Sequence, residues 1–370
     1  MRRARARRRR LALGTLIGLA AGAFALGAAL GDGSPPQPKL AETLPPGRLA
    51  GERIVVGVSG TTVPSALARA IREGHVAGVI LFAASFPSRA VGRRLIARLQ
   101  GIHRPPGLRD PLLIMVDQEG GLVKRVSGAP SASAAQMGAR GPAFSRRQGA
   151  RTAANLRDVG VNVDLAPVLD VARPGGVIAE TERGFGSTAA RVAATAIPFA
   201  AALQGGGVAA TGKHFPGLGA ATENTDFAVQ RIHLSKHVLR RVDEAPYRPF
   251  SRAGGELVML STAIYPALSP QPAAFSRAIA TGELRNRIGF EGVTITDALE
   301  TVAVRAFGGP AKAGVAAARA GADLLLFAEL GPAEEARRAL VRALRRGKLD
   351  RAELEAAAQR VLELRHRLRG

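Results

Sequence analysis

Residues 207–227 read GVAATGKHFPGLGAATENTDF, and this stretch decides the fold. It begins as an apolar run of small residues and ends as a loop of turn-forming residues. Lys213 and His214 come directly after the apolar run. A continuous apolar run is typical of a strand that is buried on both faces, as in a parallel sheet. In a parallel barrel, the junction between a strand and its following loop is where the chemistry is located.

The rest of the chain repeats this pattern about eight times, with a short apolar run followed by a longer helical pattern. The predicted strands are Ile54–Val58, Val76–Phe82, Pro111–Asp117, Val161–Ala166, Gly207–Gly212, Glu256–Ser261, Gly292–Asp297 and Ala322–Phe327. The predicted helices are Val63–Gly74, Ser88–Leu99, Ser145–Leu156, Ala189–Leu203, Leu234–Ala253 with a break at Pro246, Ser276–Arg287, Ala311–Ala320, 332–346 and 350–368. Eight strand–helix units in a chain of this size predict an α/β fold, a single-domain (β/α)8 TIM-type barrel.

The N-terminus has a different composition from the barrel region. Residues 2–10 are rich in Arg, and residues 11–31 are apolar and uncharged. This order predicts a signal peptide or a membrane anchor, with the barrel outside the cytoplasm. Residues 32–48 are rich in Pro and Gly and are interpreted as a linker, which leaves 49–370 for the barrel. The chain has no Cys, so we expect neither lipidation of a signal-peptide Cys nor disulfides.

Charge and composition limit the partners that we expect. The formal net charge is +23, of which seven come from Arg within the first ten residues, which leaves +16 for the remainder. Such an excess attracts anionic polymers, or it is only a solvated Arg-rich surface. Because no aromatic residues alternate with the basic ones, we expect no nucleic-acid partner. We expect a monomer, since nothing in the sequence requires a second copy.

Charged side chains are predicted at several strand ends. Asp117 and Asp297 each end a strand, Lys213 and His214 end a third, and Arg183 lies in a loop flanked by Gly. A single Asp at a strand end is often only a helix cap or an ion-pair partner. Several charges of both signs around one barrel mouth instead predict a polar active site.

The residue types at this mouth exclude several chemistries. His214 has no second His or Cys at metal-ligand spacing, so neither a metal nor a cofactor is expected. There is no GxSxG motif and no Cys nucleophile. The first strand is not followed by a phosphate-binding glycine loop. Carboxylates together with Lys, His and Arg fit glycoside chemistry, because carboxylates stabilise an oxocarbenium-like centre and the charged groups bind sugar hydroxyls.

Five stretches in one order resemble glycoside hydrolase family 3, in the branch of single-domain bacterial β-N-acetylglucosaminidases of cell-wall turnover. The similarity runs from about residue 51 to about residue 327. The five stretches are LLIMVDQEGG at 112–121, NVDLAPVLD at 162–170, ERGFG at 182–186, KHFPG at 213–217 and GFEGVTITDAL at 289–299. The resemblance implies that Asp297 is the nucleophile. It also implies that Asp117, Arg183, Lys213 and His214 bind sugar hydroxyls.

The sequence departs from this branch in the loop that follows KHFPG. The family's Asp–His acid/base pair is absent there, and Asn224 and Asp226 stand at the two positions. Asp226 is the candidate acid/base, because a carboxyl with a raised pKa can protonate a leaving group. Glu223 is a weaker candidate on the same loop. The other departures are Leu122 for Arg, Leu218 for His, Ser261-Thr262 for Ala-His and Ala298 for Asp.

These residues favour one function and leave two alternatives. The favoured function is an exported retaining β-glycosidase that acts on β-N-acetylhexosaminides, with cell walls as a candidate source of the substrate, through a covalent glycosyl-aspartate. One alternative is a β-glucosidase of the same family. The other is a non-catalytic glycan-binding barrel that has lost the usual acid/base.

Overall fold

A computed structural model describes residues 39–369 of the chain. The predicted signal or anchor segment 1–31 and the first part of the predicted linker lie outside this range. Within the described residues, none of the helices has both the length and the apolar character needed to cross a membrane.

The core of the fold is a ring of eight parallel strands. Neighbouring strands in the ring follow one another along the chain, and the last strand pairs with the first through Ile54 and Leu325. A parallel bridge between Ile295 and Leu324 joins the remaining two strands. The predicted (β/α)8 barrel is therefore confirmed. Its strands are β1 Ile54–Val58, β2 Gly78–Leu81, β3 Leu113–Val116, β4 Val163–Asp164, β5 Ala209–Phe215, β6 Leu257–Leu260, β7 Val293–Thr296 and β8 Leu325–Phe327.

Helices connect these strands around the outside of the ring. The α-helices are Leu40–Thr43, Pro46–Gly51, Ser65–Glu73, Arg89–Gln100, Ala134–Arg140, Pro142–Val159, Val177–Glu180, Ala189–Gly205, Lys236–Val238, Tyr247–Arg252, Val302–Arg305, Pro310–Ala320, Leu330–Arg345 and Arg351–Arg367. Leu239–Asp243 and Ala278–Ile288 are π-helical, and Ala83–Ser85 and Ala273–Phe275 are 3-10 turns. Two short hairpins, Gln118–Gly120 with Val123–Lys124 and Ile264–Tyr265 with Ser269–Pro272, were not predicted.

Alternate strand residues form two apolar layers. One set fills the inside of the barrel, including Val55, Met115 and Ile295, and the other packs against the helices. Val361 and Leu364 of the last helix belong to the inner layer. That helix therefore closes one end of the barrel, and the barrel interior can open into a cavity only at the other end.

Residues 40–48 differ from the linker interpretation. They form the helix Leu40–Thr43 and the start of the helix Pro46–Gly51. Ala41, Leu44 and Leu49 are buried, and the backbone N–H of Ala41 donates to Gln359 Oε1 at 3.3 Å. Proline at the first position of a helix is well tolerated, because that N–H has no partner within the helix. A Pro-rich composition therefore did not indicate a linker at these positions.

Buried charges stabilise the closed end of the barrel. Arg365 is fully buried and forms an ion pair with Glu52, and its guanidinium also donates to Pro111 O at 3.0 Å and Leu108 O at 2.9 Å. Asp323 accepts from Arg285 at 2.6 Å and from Arg360 at 2.7 Å. Every one of these charges has a partner of opposite sign, so these ion pairs are structural.

Candidate active site

The carboxyl ends of the strands surround a cavity of about 360 Å³. Six of the seven candidate residues from the sequence line it. They are Asp117, Arg183, Lys213, His214, Asp226 and Asp297. The ring of parallel strands brings them together from positions up to 180 residues apart, as the barrel fold requires.

One wall of the cavity is a cluster of four charges. Lys213 Nζ lies 2.7 Å from Asp117 Oδ1 and 2.7 Å from Glu119 Oε1. Arg183 donates twice to the Glu119 carboxylate, from Nε and Nη2, at 2.8 Å each. Glu119 lies within the quoted DQEGG stretch, but the sequence argument gave it no role. We call these four residues the charge cluster.

The charge cluster keeps Glu119 and Lys213 ionised. Burial would raise the pKa of Glu119, but the positive charges of Arg183 and Lys213 together outweigh it and hold that pKa well below its usual range. Burial would lower the pKa of Lys213, but the Asp117 and Glu119 carboxylates raise it above its ordinary value. The result is a fixed wall of hydrogen-bond donors and acceptors that suits a polyhydroxylated ligand.

His214 is held by a carboxylate that the sequence argument did not single out. Its Nδ1 lies 2.8 Å from Asp170 Oδ2. The backbone N–H groups of His214 and Leu218 both donate to Asp170 Oδ1, at 3.1 and 2.7 Å. Asp170 is fully buried, so it fixes both the imidazole and the start of the loop after β5. The other ring nitrogen, Nε2, remains for contacts in the cavity.

Asp164, at the end of β4, is a buried carboxyl near the charge cluster. Its Oδ1 accepts the backbone N–H of Gln118 at 3.0 Å, and its Oδ2 has no hydrogen-bond partner among residues 39–369. Burial raises the pKa of Asp164 to about 8. The side chain is therefore protonated at neutral pH and adds no negative charge under the cluster.

Asp297 and Asp226 reach the cavity from different loops. Asp297 follows β7, and its Oδ1 accepts the backbone N–H of Ala298 at 2.8 Å. Asp226 is exposed on the loop after β5, where Asn224 donates to its Oδ2 at 3.1 Å. Although the residue as a whole is exposed, its carboxyl lines the cavity, and loss of solvent around the carboxyl, followed by the negative charge of Asp297, raises the pKa of Asp226. Glu223 is exposed and is not part of the cavity lining.

Glu300, three residues after Asp297, also lines the cavity. Its Oε1 accepts the backbone N–H groups of Ala328 and Glu329, the latter at 3.0 Å. Burial raises the pKa of Glu300 to about 7. The sequence argument missed this residue. The sequence offers only one indication of it, namely its position in the loop that follows β7 and carries Asp297.

The cavity therefore combines a wall of fixed charges with carboxyls that differ in their readiness to hold a proton. Within the described range, no three His, Asp or Glu side chains are grouped so that they could hold a metal ion. Such a site on a (β/α)8 barrel defines the class of protein as a glycoside hydrolase.

Residues 52–364 match the N-terminal domain of glycosyl hydrolase family 3. The chain belongs to glycoside hydrolase family 3, as the sequence motifs predicted.

Two relatives and two solved structures show the extent of the similarity. A protein of Arthroderma benhamiae named "uncharacterized secreted glycosyl hydrolase" is 39% identical over 86% of this chain and 93% of its own length. A β-hexosaminidase of Xanthomonas axonopodis pv. citri is 33% identical over 74% of this chain and 82% of its own. The β-N-acetylhexosaminidase structure from Beutenbergia cavernae has a TM-score of 0.80 at 32% identity, over 87% of this chain and 99% of that one. A family 3 β-N-acetylglucosaminidase structure from Paenibacillus sp. has a TM-score of 0.82 at 32% identity, over 88% of this chain and 63% of that one.

Proposed function

We propose that this family 3 hydrolase is an exported retaining β-glycosidase that acts on β-N-acetylhexosaminides through a covalent glycosyl-aspartate. The observation that carries this proposal is the pair of carboxyls Asp297 and Asp226 in one cavity, where Asp226 has a raised pKa. A retaining mechanism needs one carboxyl as the nucleophile and one as the acid, and a raised pKa suits Asp226 to the role of the acid.

The mechanism assigns one role to each carboxyl in two steps. In the first step Asp297 attacks the anomeric carbon, while Asp226 gives its proton to the glycosidic oxygen and the aglycone leaves as an alcohol. In the second step Asp226 takes a proton from water, the water oxygen attacks the anomeric carbon, and the bond to Asp297 breaks. Both steps invert the anomeric carbon, so the sugar product retains the β configuration.

The charge cluster binds the sugar in this proposal. Asp117 and Glu119 accept hydrogen bonds from hydroxyls, and Lys213 and Arg183 donate to hydroxyl oxygens. His214, held by Asp170, adds a further donor or acceptor through Nε2. Because the charged residues are paired in advance, little reorganisation is needed when the sugar binds.

Two kinds of support favour an N-acetylhexosaminide and export. The relative in Xanthomonas and the structures from Beutenbergia and Paenibacillus are hexosaminidases by name. The basic and apolar order of residues 2–31 supports export, and the Arthroderma relative is secreted by name. A signal peptide or a membrane anchor at residues 1–31, the monomeric state and a substrate derived from cell walls remain predictions. A β-glucosidase is the enzymatic alternative, because Asp226 stands where the amino-sugar branch has His.

The test measures turnover of 4-nitrophenyl β-N-acetylglucosaminide and 4-nitrophenyl β-glucoside by the full-length protein. Asp297→Ala is expected to abolish turnover. Asp226→Ala is expected to keep the first step, since 4-nitrophenol leaves without protonation, and to slow breakdown of the intermediate, which azide restores. Glu223→Ala is the matched control on the same loop, with turnover close to that of the unsubstituted protein.

The outcomes separate the hypotheses. Faster turnover of the glucoside would replace the N-acetylhexosaminide by the β-glucosidase alternative. Full activity of Asp297→Ala would contradict the proposed nucleophile. If neither sugar is turned over but both bind, the protein is a glycan-binding barrel.

A further inference from the structure

A second cavity, of about 380 Å³, lies outside the barrel interior at its closed end. Its walls come from the segments that lead into β3, β4 and β5 and from the end of the last helix. Among residues 39–369, its lining includes four arginines and no acidic residue. The arginines are Arg104, Arg109, Arg157 and Arg369. We call this feature the arginine cavity.

Other positive charges at this end of the barrel already have acidic partners. Arg369, which lines the cavity, pairs with Asp110, and the buried Arg365 pairs with Glu52. The other three lining arginines form no ion pair within the described part of the chain, and they are Arg104, Arg109 and Arg157. The arginine cavity therefore carries positive charge that the described residues do not neutralise.

Arg104 is the most deeply placed of these three arginines. Its side chain is only 7% exposed, and its Nε has no hydrogen-bond partner among residues 39–369. Its Nη2 donates to Arg109 O at 3.0 Å, which ties the two arginines to one loop. Burial, followed by the positive charge of Arg365, lowers the pKa of Arg104 to about 10. A buried cation with so little compensation is stabilised by an anion placed beside it.

The remaining polar groups of the arginine cavity leave the guanidiniums as its main free donors. Gln100 exchanges two hydrogen bonds with the backbone of Leu112, both at 2.9 Å. Asn162 donates to Leu112 O at 2.9 Å and accepts another backbone N–H at 2.7 Å. Arg157 instead reaches across to Gly207, which has a φ of +80° and where a Cβ would collide with Arg157 Nη1. The absence of a side chain at Gly207 therefore leaves room for this guanidinium.

We propose that the arginine cavity binds a phosphate-bearing ligand, whose oxygens accept hydrogen bonds from Arg104, Arg109 and Arg157. A phosphate monoester carries about 1.5 to 2 negative charges at neutral pH and three strong acceptor oxygens. Its oxygens are arranged tetrahedrally, so they can accept from guanidiniums that approach from different segments. A carboxylate is planar and carries one charge. The inference is independent of the proposed function, because Asp297 lies at the opposite end of the barrel.

The test measures the binding of inorganic pyrophosphate to the full-length protein by calorimetry. Pyrophosphate is the probe because its two linked phosphates can contact guanidiniums on different segments. One site per chain is expected. Arg157→Gln and Arg109→Gln are each expected to weaken binding roughly tenfold, as for the loss of a hydrogen bond between charged groups. Both side chains are exposed, so thermal unfolding without ligand is expected to be unchanged.

Arg151→Gln is the matched control. Arg151 is exposed and lies on the same helix as Arg157, Pro142–Val159, but it does not line the arginine cavity. The substitution removes the same charge and is expected to change binding less than about twofold, as for a screened charge on the surface. Equal losses in Arg151→Gln and Arg157→Gln would overturn the inference, because pyrophosphate would then bind the Arg-rich surface without regard to position.

Three further ligands define the chemistry of the site. Succinate carries two charges but only carboxylates, and equal binding of succinate and pyrophosphate would overturn the assignment to phosphate. Glycerol 3-phosphate and glycerophosphoglycerol separate two sources of a phosphate group. Binding of the first alone would support a free phosphate ester, and binding of the second would support the phosphodiester of a lipid headgroup.

Turnover of the 4-nitrophenyl glycosides separates this inference from the proposed function. Saturating pyrophosphate is expected to leave turnover unchanged, because the two cavities lie at opposite ends of the barrel. Competitive inhibition would place pyrophosphate in the candidate active site and overturn the inference. If pyrophosphate does not bind, the inference fails and the glycosidase proposal stands. If no glycoside is turned over, the pyrophosphate measurement still decides the inference by itself.

Discussion

Asp164 shows how one buried carboxyl makes stability depend on pH. Its pKa is about 8 in the folded protein, because burial disfavours the charged form, and 3.8 is its ordinary value. A carboxyl whose folded pKa is raised releases its proton more readily in the unfolded chain. Its contribution to the free energy of unfolding therefore falls as pH rises from about 4 to about 8 and changes little above that.

Asp164→Asn is expected to stabilise the protein at pH 7 by about 2 to 4 kcal/mol, since the amide avoids the cost of holding a buried proton. The amide oxygen can still accept the N–H of Gln118. The measurement is the free energy of unfolding in urea at pH 5 and pH 7, and the gain is expected to be smaller at pH 5. A gain that is equal at both pH values would contradict the raised pKa.

Asp170→Asn is the control for this comparison. Asp170 is also fully buried, but its carboxylate accepts from two backbone N–H groups and contacts His214. Loss of its charge is expected to destabilise the protein by about 1 to 3 kcal/mol. If Asp164→Asn raises the free energy of unfolding and Asp170→Asn lowers it, hydrogen bonding to the carboxylate, rather than burial alone, decides the sign of the change.

At the scale of elements, Glu300 joins the loop after β7 to the loop after β8. Glu300→Ala removes the acceptor of two backbone N–H groups and is expected to cost about 1 to 2 kcal/mol. It is also expected to lower kcat, because the same loop carries Asp297. Glu300→Gln keeps the acceptor and is expected to be as stable as the unsubstituted protein, or more stable, at pH 8. The checks are thermal unfolding and turnover at pH 6 and pH 8.

The expected stability of Glu300→Gln depends on the pKa of Glu300, which is about 7 in the folded protein. Because the folded pKa is raised, the stabilising contribution of Glu300 declines between about pH 4.5 and pH 7. A Gln variant that is clearly less stable than the unsubstituted protein at pH 8 would mean that the ionised carboxylate is favoured in the fold.

The sequence predicted the elements better than the contacts between them. All eight strands were predicted, because most of them are apolar runs, and Asp117 and Asp297 directly follow strands as predicted. The end of β5 was wrong: the strand was predicted to end at Gly212 but continues to Phe215, so Lys213 and His214 lie within it. The short helix at Leu40–Thr43 was missed, since Pro-rich composition describes the chain locally and not the surface against which it packs. Glu119 and Asp170 were present in quoted motifs, but their partners Arg183 and His214 are 64 and 44 residues away. Only the closed barrel shows those pairings.

At the scale of the whole molecule, the closed end of the barrel is predicted to carry stability and the open end to carry activity. Arg365→Met leaves Glu52 buried without its partner and is expected to cost about 3 to 5 kcal/mol. The folded fraction should keep its kcat, since Arg365 lies at the end of the barrel opposite the cavity. Urea unfolding and turnover measured on the same preparation check both statements.

Arg367→Met, in the same helix, is the matched control. Arg367 is half exposed and lies 3.7 Å from Glu256. Its loss is expected to change the free energy of unfolding by less than about 1 kcal/mol. If both substitutions lower the free energy of unfolding by the same amount, the buried ion pair between Arg365 and Glu52 contributes no more to stability than the surface pair between Arg367 and Glu256.

The closure of the ring has a consequence for the kinetics of folding. The first and last strands that pair, at Ile54 and Leu325, are 271 positions apart in the chain, and the helix Arg351–Arg367 that closes the barrel follows them. Bringing such distant segments together carries a large loop-closure entropy before any contact compensates for it. Refolding is therefore expected to be slow, since an incomplete ring presents apolar inner strands and two unpaired edges to other chains. Refolding at low protein concentration is expected to give a higher yield of active protein than refolding at high concentration.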